Sequence, residues 1–394
     1  MRTRGRIILH NGPVILPGRV LADGVVLIEG GMIINVGSGV AEESKADQVI
    51  DLEGRFLAPG LIDLHIHGSS GIDLMAASAD DLARLSRFLV SRGVTRYLPT
   101  TVPVDELGFL EVIDVVAQYI ADQPLSGAQV MGLHFEGPFV NPDRCGALHV
   151  EHVRTYHSPT IAGIFLDESL SARLPIRMMT LAPEIEGGLA LVEALAQSGS
   201  IVSLGHSQAS FEICEQARAA GARHVTHFPN ALAPLHHRRP GIFAWALLRP
   251  DVTLDLIADG VHVDWRMIEL VQRLKSPDQV ALISDAIAPT GLGDGEYAVW
   301  GETIRVRDGQ TQNASGTIAG SVISLWEAIH NIHQHTAPLA EAIKMASLVP
   351  ARVLGIDGRT GSIEKGKRAD LVCFDADGKI HFTMVNGQIG FRAE

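Results

Sequence analysis

Short continuous apolar runs, each ended by glycine, proline or a polar residue, alternate through the middle of this chain with stretches whose apolar positions recur at helical spacing. The runs begin near Leu61, Val94, Val130, Ile176, Ile201, His224, Thr253 and Val280. Each reads as a buried strand, because it is brief, unbroken and bounded by turn residues. Helical spacing fills the gaps over Asp80–Arg92, over Asp105–Ala121, and in stretches ending at Gln197, at Ala220 and near Lys275. Eight alternating strand–helix units predict an α/β protein built on a (β/α)8 TIM barrel. A doubly wound sheet is the competing layout, but the glycine-rich dinucleotide fingerprint that marks it is missing.

The two ends follow a different rhythm. Residues 6–54 hold short strand-like runs (Ile7–Leu9, Val25–Glu29, Met32–Val36) separated by turns such as Asn11-Gly12. Beyond the eighth strand come a turn-rich insertion, Tyr297–Gly316, and helical stretches at Ser321–His335 and Leu339–Leu348. Short strands then return at Leu371–Phe374 and Phe382–Val385. Two half-sheets without partners are marginal alone. The expectation is therefore one small β-sandwich domain made of residues 1–56 and 352–394, beside a catalytic barrel spanning 57–351.

Polar residues gather where the strands end. His65 and His67 close the first strand and leave the same face, because side chains in a strand repeat every two residues. Glu136 ends the third strand, His206 the fifth, His227 the sixth, His262 the seventh and Asp285 the eighth. In a barrel these ends converge on one mouth, where active sites are built. A lone His-x-His also fits two core histidines; seven such residues at one mouth point to metal binding. Imidazole and carboxylate without thiolate suit zinc, iron, cobalt or manganese. His330, His333 and His335 fall on a late helix and read as surface or supporting groups, and Cys145 as a small buried residue.

Composition narrows the partners. The chain has 394 residues and a net charge of −13, which argues against a nucleic-acid or anionic-membrane surface. Aromatic residues are only 5%, too few for base-stacking platforms. The basic start Met1–Arg6 lacks a signal-peptide core. No apolar run approaches the roughly 20 residues that cross a bilayer. Three scattered cysteines form no disulfide framework, so a cytoplasmic location is expected.

The order of motifs resembles the amidohydrolase superfamily and, within it, the N-acetylglucosamine-6-phosphate deacetylases, over nearly the full length. The matching segments include Pro59–Gly68, His134–Pro138, Leu181–Glu184, Leu204–Ser207, Val225–His227 with Asn230-Ala231, His236–Gly241, Ala258–His262 and Ser284–Ala286. The resemblance implies hydrolysis of N-acetyl-D-glucosamine 6-phosphate to D-glucosamine 6-phosphate and acetate. Another N-acyl amino sugar, such as N-acetylgalactosamine 6-phosphate, is the alternative. It implies one or two divalent ions per subunit, zinc first. Glu136, His206 and His227 would hold the principal ion, and His65 and His67 a second. Glu136 would bridge the two, with Asp285 as the catalytic acid and base within the same cluster. His262 would sit near the substrate carbonyl. Asn230 and Ala231 would hold the phosphate together with His237 and Arg238, whose loop is the densest basic cluster of the chain. Arg238 would reach across a homodimer interface.

Two departures touch the sugar pocket. The family has Gly-Ala-His where this chain reads Gly146-Ala-Leu148, with His149 one place later. The expectation is either a contact from His149 after a one-residue shift, or its loss. Pro229 replaces a bulkier residue. A non-catalytic scaffold of the same fold would be expected to lose ligands or the acid, and this set is complete.

Overall fold

The computed structural model describes residues 5–39, 46–156 and 159–394. Met1–Arg4, the basic start, lie outside the described residues. The eight expected strands form a parallel barrel: Leu61–Ile66, Val94–Thr101, Gly132–Glu136, Ile176–Leu181, Ile201–Leu204, His224–Val225, Thr253–Ile257 and Val280–Ile283. Every residue of the first strand is buried, as its run of apolar residues requires. Closure is made by a parallel bridge between Ile66 and Ala286, and by the Asp285 amide donating to the His65 carbonyl at 2.9 Å. Asp63, inside the first strand, adds a side-chain tie by accepting from the Ser284 amide at 3.2 Å.

The outer helices start at side-chain caps. Ser78 and Asp81 make a capping box on Ala79–Ser91, Asp105 caps Glu106–Asp122, Ser210 caps Phe211–Ala220, and Ser324 with Glu327 caps Leu325–His335. His330, His333 and His335 are exposed on that last helix. Gly241–Leu248 is a further helix, apolar almost all round and packed under the barrel wall, with Trp245 fully buried. The insertion after the eighth strand is a three-stranded antiparallel sheet, Gly295–Val299, Glu302–Arg307 and Gln310–Gln312, rather than a run of turns.

Strands from both chain ends share one eight-stranded sheet. Phe56–Pro59 pairs with Leu371–Phe374 from the far end, and the sheet encloses its own core of Leu9, Val26, Leu57, Leu371 and Met384. The first strand runs unbroken over Arg6–Leu16; Asn11-Gly12 is a bulge within it, not a turn. Asn11 takes a left-handed φ of 61°, and a side chain on Gly12 would strike the Arg55 carbonyl oxygen.

A buried ion pair joins this sheet to the barrel. Arg96 donates to Asp370 Oδ2 through Nε at 3.0 Å and Nη2 at 2.7 Å, and Thr360 adds a third donor at 2.7 Å. Arg96→Ala leaves the Asp370 charge buried without its cation. It should cost about 3–5 kcal/mol of stability, measured as a lower urea midpoint.

Candidate metal centre

The strand ends bring six of the expected groups into contact. His206 and His227 point Nε2 at Glu136 Oε1, at 3.0 and 2.9 Å, and lie 3.1 Å from each other. His65 and His67 face each other through Nε2 at 3.0 Å. Glu136 Oε2 stands 3.2 Å from His67 and 3.6 Å from His65, and Asp285 Oδ1 3.3 and 3.4 Å from the same two rings. Two triads result, His65–His67–Asp285 and Glu136–His206–His227, all buried. Local backbone conformation aims them. His206, His227 and Asp285 follow their strands with φ of 47°, 32° and 48°, a region that non-glycine residues rarely adopt. Strain of this kind, held by surrounding structure, clusters at functional sites.

Hydrogen bonds on the outer ring nitrogens fix which nitrogen faces the centre. His67 Nδ1 donates to the Thr100 carbonyl at 3.1 Å and His206 Nδ1 to the Arg144 carbonyl at 2.8 Å. In the neutral rings, Nε2 then carries a lone pair aimed at a carboxylate oxygen. Lone pair against carboxylate is repulsive unless a cation stands between them. Among the described residues, the buried Nδ1 atoms of His65 and His227 have no hydrogen-bond partner. Protons alone would answer the same demand: although burial opposes charge on His67, hydrogen bonds to Asp285 and Glu136 hold it up at about 10. Burial likewise opposes charge on His227, and Glu136 holds it up at about 9. Burial alone would raise the Glu136 carboxyl, but the imidazoles, His65 foremost, keep it well below the carboxylate range. The donor set fits a divalent cation.

The supporting carboxylates Asp63, Glu184 and Asp255 carry no role in the sequence reading, although Asp63 and Glu184 lie in segments that resemble the family. Asp255 accepts from the His227 amide and binds His224 Nε2 at 2.9 Å, fixing the turn that carries His227. Asp63 accepts from the His65 amide at 3.4 Å, and burial pushes its carboxyl up to about 6. Glu184 accepts from Ser207, Gln208 and Asn141, at 2.7, 2.7 and 2.8 Å, and so anchors the His206 turn. A carboxylate inside an apolar strand reads as core, which is why Asp63 and Asp255 escape a sequence reading. His134 packs edge-on against His65 at 4.6 Å and bonds Thr180 Oγ1 at 2.7 Å. Burial holds it neutral.

A cavity of about 270 Å3 opens onto the cluster, lined also by Leu148, Asn230, Ala231, His262 and Trp300. His262 Nδ1 is fixed by Asp259 Oδ2 at 2.6 Å. Burial opposes the Asp259 charge, yet that hydrogen bond keeps its carboxyl below the usual range. Leu148 lines this cavity and His149 does not; His149 Nε2 donates to the Trp300 carbonyl at 3.2 Å. Cys145 is buried beside Val102, Val140 and Leu148. Pro229 follows His227 in a turn whose Phe228–Pro229 peptide is cis. His237 and Arg238 are exposed and apart from the cavity; Arg238 lines a separate groove of about 480 Å3 with Arg144 and Arg239.

Residues 56–390 match the Amidohydrolase family. The chain belongs to the amidohydrolase family. This amidohydrolase is 32% identical to a Bacillus subtilis N-acetylglucosamine-6-phosphate deacetylase, over 98% of this chain and 97% of that one. It is 36% identical to an N-acetylgalactosamine-6-phosphate deacetylase of Escherichia coli O157:H7, over 86% and 89%. Its fold matches the crystal structure of N-acetylglucosamine-6-phosphate deacetylase from Pasteurella multocida with a TM-score of 0.90 and 30% identity, covering 98% of this chain and 99% of the other. Among the described residues of the amidohydrolase, no helix is long and apolar enough to cross a membrane.

Proposed function

We propose that this chain hydrolyses the amide of N-acetyl-D-glucosamine 6-phosphate, giving D-glucosamine 6-phosphate and acetate. The observation that carries the reading is Asp285 and two histidine–carboxylate triads at one barrel mouth, in a chain that aligns almost end to end with deacetylases of that name. Glu136, His206 and His227 would hold a principal ion, and His65 and His67 would help hold a second. Three such ligands suit zinc. A bound divalent ion supplies Lewis acidity toward the amide carbonyl and a hydroxide-strength nucleophile near neutral pH.

The chain's own groups do the rest. Asp285 takes the proton of the attacking water and delivers it to the departing nitrogen. His262, its ring held through Nδ1 by Asp259, stabilises the developing oxyanion. Asn230 and Ala231 line the cavity beside His227 and face the sugar phosphate. His237 and Arg238, exposed on this chain, complete the phosphate site of a second copy in a homodimer. Residues 57–351 are assigned as the catalytic domain, and 1–56 with 352–394 as the accessory β domain. Three buried free cysteines fit a cytoplasmic enzyme.

Acetate release decides the substrate. Metal-replete enzyme should favour N-acetylglucosamine 6-phosphate over the unphosphorylated sugar by about 100-fold in kcat/KM, the worth of charge-assisted phosphate bonds. Chelation should abolish release, and added zinc should restore it. A preference for N-acetylgalactosamine 6-phosphate would transfer the same mechanism to the substrate named for the E. coli relative. No release from either phosphosugar would sink the proposal.

A further inference from the structure

The histidines of the two triads are not held alike. The Nδ1 atoms of His67 and His206 are tied to backbone carbonyls. That of His65 is buried and meets no hydrogen-bond partner among the described residues. A ligand ring without an outer hydrogen bond keeps its orientation only through packing. His65 has three ring contacts, and the nearest is His134, edge-on with centroids 4.6 Å apart and planes at 79°. The rings of His67 and His227 are farther off, at 4.9 and 5.6 Å.

His134 lies two residues before Glu136 on the third strand, so both side chains leave the same face. Both of its nitrogens are engaged away from the triads. Nδ1 donates to the Leu64 carbonyl at 3.2 Å, on the peptide that leads into His65. A carbonyl can only accept, so in the neutral ring Nε2 is the acceptor and takes the Thr180 hydroxyl proton at 2.7 Å. Thr180 then has no proton left and accepts from Thr226 at 2.6 Å, which in turn accepts from Ser203 at 2.5 Å. All four side chains are fully buried. The chain of bonds therefore has one sense, from the fifth strand by way of the sixth and fourth to the third. Buried networks whose members are all bonded rigidify the core around them.

We propose that His134 is a positioning residue for His65. Anchored by the Thr180–Thr226–Ser203 hydroxyls, its ring blocks rotation of the His65 imidazole. Nε2 of His65 then stays aimed at His67 and Asp285, 3.0 and 3.4 Å away. His134 itself touches neither metal nor substrate. The inference rests on the metal-centre reading given above and not on the identity of the sugar.

His134→Gln keeps an acceptor for Thr180 and removes the ring. Withdrawal of zinc from the loaded enzyme by a graded series of chelator reads the result without turnover. The equivalent bound through His65 and His67 should weaken about tenfold, as for loss of a group that orients a metal ligand. The equivalent at Glu136–His206–His227 should stay within about twofold of the parent. In a His65→Asn background the same change should add less than about twofold, because its target is gone. Thr180→Val keeps His134 and removes its anchor. It should weaken the His65–His67 equivalent by about threefold, the worth of one hydrogen bond, and it decides the matter if His134→Gln fails to fold. Equal weakening of both equivalents, or a loss that persists in the His65→Asn background, would make His134 general core support and overturn the proposal. Unchanged affinities in folded variants would overturn it too. If the parent binds a single equivalent, the comparison between the two backgrounds decides alone. Zinc binding without acetate release would instead count against the proposed substrate, and the chelator series would still decide the role of His134.

Discussion

Replacing Asp285 by Asn should lower kcat for acetate release by at least about 1,000-fold, within the range expected for loss of a general acid and base, while leaving the fold intact. Asn has nearly the same shape, and the backbone bond from the Asp285 amide to the His65 carbonyl at 2.9 Å does not depend on the side chain. What the amide side chain lacks is basicity: it can neither take a proton from water nor pass one to a leaving nitrogen. The proposed mechanism gives Asp285 both tasks; it lines the cavity at the end of the eighth strand, with its carboxylate 3.3 Å from His67. Because it shares a triad with His65 and His67, metal content must be measured in the same preparation. Retention of at least one equivalent at Glu136–His206–His227, together with the fall in kcat, would assign the loss to proton transfer. Turnover at the parent rate would remove Asp285 from the mechanism.

The barrel and its mouth were legible because two simple rules coincide. Buried parallel strands are short apolar runs, and the residues that end them face one side of the barrel. His65, Glu136, His206, His227 and Asp285 could therefore be placed together without knowing any contact between them. What stayed hidden lies in backbone conformation and in the groups behind the ligands. Nothing in the letters shows that His206, His227 and Asp285 turn with positive φ. Asp63 and Asp255 sit inside apolar strands, and each bonds a backbone amide, a contact that carries no sequence signal. The helix Gly241–Leu248 escaped because an all-round apolar segment has no amphipathic period to read. The hairpin that carries Trp300 reads as turns because its strands are short and only partly buried. The same limit explains His149. Sequence offset alone suggested that it could replace the histidine missing at Leu148, whereas its bond to the Trp300 carbonyl depends on the fold of a segment 151 residues away.

Glu136→Gln should be the most damaging single change at the metal centre, with kcat/KM down by at least about 1,000-fold and metal content reduced at both triads. Among the described residues, Glu136 is the group that touches both. Its Oε1 meets His206 and His227, and its Oε2 meets His67 and His65. Gln keeps the shape but puts an NH2 where one of these oxygens was, and it removes the negative charge that balances a cation in a buried cluster. His65→Asn is the informative contrast. It disturbs one triad and leaves Glu136, His206 and His227 as a complete three-ligand site. Metal analysis of the two variants then separates a bridging carboxylate from an ordinary ligand. If Glu136 joins two ions, Glu136→Gln should lose more metal than His65→Asn, which keeps the principal ion. Equal losses would mean that a single ion depends on all six groups, and the division into two triads would fail. A Glu136→Gln enzyme with full metal content and parent activity would exclude the carboxylate from the centre altogether. That outcome would require another source of negative charge to offset the four buried imidazoles, and Asp285, in contact with only two of them, cannot supply it.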